Sequence, residues 1–287
     1  MSYEPSEAGA FGVRVRSFEA RDAARDRTFP IEVWHPDSDR ETYPLIIFSH
    51  ASMQHRRSAS YLCTHLCSHG YVVAAMDHSE RVAPELARQP AESEEQKHAR
   101  WQAIIASRVP DVRFLLDTLG GDAAGIVGHS FGGWTALAVP EVEPRIRAIV
   151  ALAPGGASKV RPGILPAKLH FKWSREIPTL LLAAENDTSL PLEGMIEIFE
   201  RMPQPKRMVI LRRADHMHFM DDAAKLHEGF RTMQLSPELS EMQKEMLPMA
   251  KLTSEEEAHR FVRSVTLAHF DAFLKGNAVA RRFLLHS

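Results

Sequence analysis

Ala123-Ala124-Gly125-Ile126-Val127-Gly128-His129-Ser130-Phe131-Gly132-Gly133-Trp134-Thr135-Ala136-Leu137-Ala138 reads as a buried strand, a tight turn and a helix. The apolar run to Val127 suits a strand covered on both faces, and Trp134 to Ala138 suits a helix. Between them stands Gly128-His129-Ser130-Phe131-Gly132, a G-x-S-x-G turn of the kind that lifts a serine oxygen to the top of a sheet. A side chain at either flanking glycine is expected to collide with the neighbouring strand or helix, and Ser130 is expected to hold φ above zero. Its position between strand and helix makes Ser130 the candidate nucleophile.

The same alternation continues on both sides. Phe11 to Phe18 and Thr28 to Trp34 alternate with period two, predicting antiparallel strands with one solvated face. Leu45-Phe48, Tyr71-Ala75, Gly125-Val127, Ile146-Leu152, Thr179-Ala183 and Arg207-Leu211 are continuous apolar or near-apolar runs. Helical spacing appears at Ala59, Leu62, Cys63, Leu66 and Cys67, at Val109, Val112, Leu116 and Leu119, and at Phe261, Val265, Ala268 and Ala272. Strands that alternate with helices predict an α/β fold with a mostly parallel eight-stranded sheet flanked by helices. Such sheets bind ligands at the carboxyl ends of their strands.

Two stretches fall outside this repeat. Residues 78–100, with Glu92, Glu94 and Glu95, read as a solvated excursion. Residues 220–252 are rich in methionine. There Ser236-Pro237 suggests an N-cap and a first-turn proline, and Leu239, Met242, Met246 and Met249 suggest a helix-packing face. The alternative for this segment is a small cap whose thioethers line an acyl pocket. With no repeat or linker, residues 1–287 are expected to form a single domain.

At 287 residues and 44% hydrophobic content, the chain can bury a full globular core. A net charge of −2, from 35 basic and 37 acidic residues with no basic block, argues against a nucleic-acid partner. The N-terminus, Met1 to Glu7, has neither a basic start nor an apolar stretch, so no secretory signal is expected. No apolar run is long enough to span a membrane. Cys63 and Cys67, four apart on a predicted helix, are poorly placed for a disulfide and read as buried thiols, which points to the cytoplasm.

A serine hydroxyl needs a base, an orienting acid and an oxyanion hole. In this strand–turn–helix architecture the partners follow in the order serine, acid, histidine. After Thr179-Ala183 comes Glu185-Asn186-Asp187, where Asp187 is the candidate acid and Glu185 the second choice. After Arg207-Leu211 comes Asp215-His216-Met217-His218, where His216 is favoured over His218 as the base. Asp215 is too close in sequence to orient His216 easily. The backbone N–H groups of Phe131 and, from the loop Ser49-His50-Ala51-Ser52, of Ser52 are the candidate oxyanion donors.

With these residues placed, the chain resembles an α/β-hydrolase of the dienelactone-hydrolase-like group. Phe48-Ser49-His50, Ser68-His69-Gly70-Tyr71-Val72-Val73-Ala74-Ala75 and Gly128 to Gly133 are similar to type II platelet-activating-factor acetylhydrolases. Pro178 to Ala184, Glu185-Asn186-Asp187 and His216 are similar to cutinase-like polyester hydrolases. The resemblance implies hydrolytic chemistry on small-molecule esters with no cofactor and no metal. Three departures stand out. The acetylhydrolases carry their acid where this chain has Ala153. The oxyanion loop has Ala51 where glycine is usual. Dienelactone hydrolases use a cysteine where this chain has Ser130, which argues for ordinary esters.

The expectation is a serine esterase acting on short acyl groups, with Ser130, His216 and Asp187 as its triad. An amidase, thioesterase or acyltransferase would use the same residues, and a non-catalytic binding protein of this fold is the reading from another class. A metal-dependent hydrolase built on His216, His218, Asp215, Asp221 and Asp222 matches no closed zinc spacing and leaves the glycine-flanked serine unexplained.

Overall fold

A computed structural model describes residues 3–39 and 42–286; Met1 and Ser2 of the N-terminal stretch lie outside them. Its strands are β1 (Gly12–Asp22), β2 (Arg27–Asp37), β3 (Leu45–Ser49), β4 (Val72–Met76), β5 (Ala124–His129), β6 (Ile146–Leu152), β7 (Thr179–Ala184) and β8 (Lys206–Leu211). The helices are α1 (Ser60–Ser68), α2 (Ser79–Val82), α3 (Glu94–Leu119), α4 (Phe131–Ala138), α5 (Leu192–Arg201), α6 (Ala223–Thr232), α7 (Pro237–Glu245), α8 (Glu255–Leu274) and α9 (Ala278–His286). The eight strands form one sheet in the order β1-β2-β4-β3-β5-β6-β7-β8. β1 and β2 join antiparallel, as their alternation predicts, and β3 to β8 run parallel.

Side chains alternate across a strand, so each inner strand feeds two cores. Ile46 and Phe48 of β3 pack with Leu62 and Leu66 of α1 and with Val262 and Phe270 of α8. Ile47, between them, joins Val112 and Leu115 of α3, Leu137 of α4 and Ile198 of α5 on the other face. Cys63 and Cys67 are buried free thiols on α1, as their spacing suggests. Burial pushes both thiols up, Cys67 to about 12, so neither is a thiolate near neutrality. Among the described residues, no helix is long and apolar enough to cross a membrane.

Most of the stretch 78–100, Glu94 and Glu95 included, is exposed as expected, but its start is not. His78 and Ser79 are buried, α2 follows at once, and Glu80 pairs with the buried Arg108 of α3. The carboxylates nearer α3 are partnered too: Glu92 takes both Nε and Nη2 of Arg100, at 2.9 and 2.6 Å. These two pairings against α3 are not visible in the local sequence. Ser93 and Gln96 then cap α3 reciprocally, satisfying two of the N–H groups that a helix start leaves open.

Residues 220–252 form α6, α7 and a 3-10 turn at Met249–Lys251. Ser236 is the N-cap of α7 and Pro237 its first residue, as expected. The helix stops at Glu245, so of the methionine series only Met242 lies inside it. Met242 and Met246 are buried, in keeping with a packing face.

Candidate active site

Register brings the carboxyl ends of the central strands to one edge. Ser49 pairs with Gly128, His129 with Leu152, Leu152 with Leu182, and Ala184 with Leu211. The chain turns from β5 into α4 at Ser130, with φ 58° and ψ −116°. For a non-glycine residue this is a strained backbone, costing on the order of 1–3 kcal/mol. Surrounding bonds hold it: Ser130 N–H donates to Leu152 O at 2.9 Å, and Ser130 O accepts from Trp134 and Gly155 N–H, each at 3.0 Å. The glycines allow the contact that the sequence suggests. A Cβ on Gly128 would lie 2.1 Å from Gly132 O, and one on Gly132 would lie 2.0 Å from Ser49 O.

The loops that leave β7 and β8 carry the candidate acid and the candidate base. Asp187 Oδ1 accepts from the N–H groups of Ser189 and Leu190, both at 2.8 Å, which leaves Oδ2 facing His216 Nδ1 at 2.7 Å. Glu185 N–H to Leu211 O (2.9 Å) and Asn186 N–H to Ala214 O (2.8 Å) tie the two loops together. Burial pulls the His216 pKa down, but the charge and hydrogen bond of Asp187, helped by the charge of Asp215, outweigh it and leave the value above ordinary histidine. The other face of the His216 ring meets the ring of His129, the residue before Ser130, with centroids 4.6 Å apart. Burial, then the neighbouring His216, hold His129 well below its ordinary pKa, so it packs as a neutral ring.

The second choices have other partners. His218 is fully buried; its Nδ1 accepts from Asp215 N–H at 3.0 Å, and its Nε2 donates to Thr253 O at 3.1 Å. Glu185 accepts from Arg213 N–H at 2.8 Å and pairs with Arg212 at 3.1 Å. Asp215 accepts from Met217 N–H and faces His227 Nδ1 of α6 at 3.1 Å, while His227 Nε2 donates to Leu247 O at 2.7 Å. Asp221 caps α1 from a distance, accepting from Ser60 N–H at 2.7 Å and Tyr61 N–H at 3.0 Å, and its own N–H donates to Ser58 O at 2.9 Å. The residues drawn as a metal cluster therefore diverge. Among the described residues, no three His, Cys, Asp or Glu side chains gather to hold a metal ion.

In the loop after β3, position 51 makes no use of a glycine's conformational freedom. Gln54 N–H closes a turn on Ala51 O at 3.2 Å, and the left-handed residue is Met53, φ 62°, not Ala51. Ala51, standing where glycine is usual, thus carries no left-handed strain. Met53 carries it instead, with its side chain 81% exposed. Ser52 sits at the shoulder of this turn. Phe131 is the first residue of α4, where an N–H has no helical carbonyl to bond. Ala153, where the acetylhydrolase pattern has its acid, is fully buried at φ 39°. The sequence also gave no sign of Arg161, whose guanidinium donates to Thr188 O at 2.6 Å and pairs with Glu245 of α7, tying the Asp187 loop to the 220–252 segment.

The sheet order and the strand–serine–helix turn are those of an α/β-hydrolase. Residues 29–231 match the family described as PETase, PET hydrolase-like, and the chain belongs to that family. It is 26% identical to a platelet-activating factor acetylhydrolase of Cavia porcellus over 223 residues, which is 63% of this chain and 49% of that protein. It is 24% identical to cutinase est1 of Thermobifida alba over 188 residues, 65% of this chain and 57% of the cutinase. The chain spans about half the length of the curated relatives it matches. A ferulic acid esterase structure from Streptomyces cinnamoneus superposes with a TM-score of 0.66 at 20% identity, covering 94% of this chain and 93% of the esterase, a likeness of fold.

Proposed function

We propose that the chain is a serine hydrolase of carboxylic esters, with Ser130 as nucleophile, His216 as base and Asp187 as the orienting acid. The observation that carries this reading is the 2.7 Å bond between His216 and Asp187 at the strand edge where Ser130 stands on a strained turn. Asp187 Oδ2 accepts the hydrogen bond of His216 Nδ1–H, so Nε2 is the free base. In acylation the Ser130 oxygen bonds to the acyl carbon as its proton passes to His216 Nε2. The N–H groups of Phe131 and Ser52 hold the oxyanion, and the alcohol leaves with that proton. Water then gives a proton to His216, attacks the acyl-enzyme and releases the acid, returning the proton to Ser130. This route needs neither cofactor nor metal.

Short acyl groups are the preferred substrates in this reading. Exposed large apolar residues such as Val15 on β1, Ile196 on α5 and Val279 on α9 lie on different elements. Residues 1–287 then act as a single domain, with 220–252 as a cap held to the His216 loop through His227. Two buried free thiols fit work in the cytoplasm. The test is a panel of p-nitrophenyl esters graded by acyl length, run before and after a fluorophosphonate probe. Turnover is expected to be highest on acetate and butyrate and to vanish as one probe per chain adds to Ser130. Folded protein that turns over esters without taking the probe at Ser130 would count against the reading.

The raised pKa of His216 sets the acid side of the pH profile. The base must be neutral, so kcat/KM is expected to fall as pH drops through a value above that of ordinary histidine. Asp187→Asn removes the charge that raises it, so the remaining activity should be about 10⁴-fold lower and should persist to lower pH. An acid limb that stays put in Asp187→Asn would break the link between the two residues.

A further inference from the structure

Arg108 of α3 is fully buried beneath the loop that leaves β3. A buried guanidinium needs partners for its charge and for its N–H groups. Glu80 of α2 supplies the charge, accepting from Nε at 3.1 Å and also from Nη2. The other donors go to backbone: Nη1 to His50 O at 2.8 Å and Nη2 to Ala51 O at 3.4 Å. Its flat face lies 4.3 Å from the centre of the Phe131 ring. One side chain thus touches both segments that carry the two oxyanion donors.

The direction of these bonds matters. In a planar trans peptide, C=O and N–H point opposite ways. The carbonyl of Ala51 and the N–H of Ser52 belong to one such unit, so a donor that pins Ala51 O also aims Ser52 N–H away from Arg108. Two further donors grip the same oxygen: Gln54 N–H at 3.2 Å, and His50 Nδ1 at 2.7 Å. His50 Nε2 accepts from His78 N–H at 3.0 Å, which leaves the proton on Nδ1. Burial, then the charge of Arg108, keep His50 neutral, well below its ordinary pKa.

His78 anchors this arrangement from below. Its Nδ1 donates to Asp111 Oδ2 at 3.2 Å and its Nε2 accepts from Ser49 Oγ at 2.8 Å. Ser49, His78 and Asp111 are linked as a nucleophile, base and acid would be. All three are buried, however, and Asp111 also accepts from Ser79 N–H and Oγ, each at 2.7 Å, and from Arg25 at 2.6 Å. Buried and bonded to one another in this way, the set serves as a clamp.

We propose that Arg108 is a positioning residue for the oxyanion hole, fixing the Ala51–Ser52 peptide and the Phe131 ring so that both N–H donors are aimed before substrate arrives. The inference rests on the serine-ester reading above, and its test separates the two. Arg108→Gln with Glu80→Gln removes both buried charges together, so no lone ion is left in the core. Deleting an oxyanion donor outright costs about 10²–10³ in kcat, so loosening one is expected to cost on the order of 10- to 100-fold on p-nitrophenyl acetate, with KM within about twofold.

The deciding readout is the ratio of kcat/KM for an oxygen ester to that for its thiono counterpart. Sulfur accepts hydrogen bonds poorly, so the thiono ester gains less from the hole and loses less when it loosens. The ratio is expected to fall about 10-fold, whereas a purely structural defect lowers both rates alike. A folded variant with the wild-type ratio overturns the inference. Should the double variant fail to fold by circular dichroism, Arg108→Lys, which keeps a charge beside Glu80 but cannot make the same set of bonds, decides by the same ratio. Wild-type protein without Ser130-dependent turnover brings down the esterase reading, and this inference with it.

Discussion

Ser130→Ala is expected to cut kcat on a short p-nitrophenyl ester on the order of a millionfold, since removing a serine nucleophile disables the whole triad. The melting temperature should stay at the wild-type value. Alanine keeps a Cβ on the left-handed backbone at φ 58°, and the backbone hydrogen bonds that hold residue 130 do not involve its hydroxyl. Ser130→Gly makes the sharper comparison. It is equally inactive, but glycine relieves the backbone strain of about 1–3 kcal/mol, so this variant should melt above wild type. Activity and stability then move in opposite directions at one position. Ester turnover surviving in purified Ser130→Ala would move the nucleophile elsewhere.

Gly132→Ala carries the largest expected loss of stability. The added Cβ would stand 2.0 Å from Ser49 O, 2.5 Å from Ser49 C and 2.7 Å from His50 O, all backbone atoms. No rotamer change relieves that overlap, so α4 must withdraw from β3. Overpacking typically costs about 1–3 kcal/mol where side chains can adjust. Against backbone the cost should reach or exceed that range, a large share of the roughly 5–15 kcal/mol that holds a domain folded. Gly229→Ala on α6 is the control. Nothing lies within 4 Å of its added Cβ, and better helix propensity should stabilise by up to about 1 kcal/mol. Urea denaturation of the two variants checks both signs; a Gly132→Ala protein as stable as wild type would rule out the close approach.

The strand–turn–helix around Ser130 was legible because everything that specifies it lies within a few residues. The glycines, the apolar run and the helix follow one another, and strand alternation extends the pattern across the sheet. Asp187 and His216 could be nominated because each follows a strand, and chain order narrows the choice. What could not be read depends on distant partners. Glu80 sits in a polar stretch and looks solvated; its burial is set by Arg108 on another helix. His50 and His78 looked like loop residues, yet their ring nitrogens are committed to Ala51, Ser49 and Asp111. Backbone handedness was equally hidden. Ala51 drew suspicion because glycine is usual there, but closure of the turn by Gln54 puts the left-handed residue at Met53.

Asp221 has a bearing on how this scaffold can be re-engineered. It joins the end of the His216 loop to Ser58, Ser60 and Tyr61, while Arg56 is fastened to Asp77 through both its N–H, at 2.8 Å, and its guanidinium, at 2.9 Å. Residues 52–57 are therefore not a free-standing cassette. A transplanted or lengthened loop at this site must bring compatible partners at 77 and 219–222, or the graft will disturb the loop that carries His216.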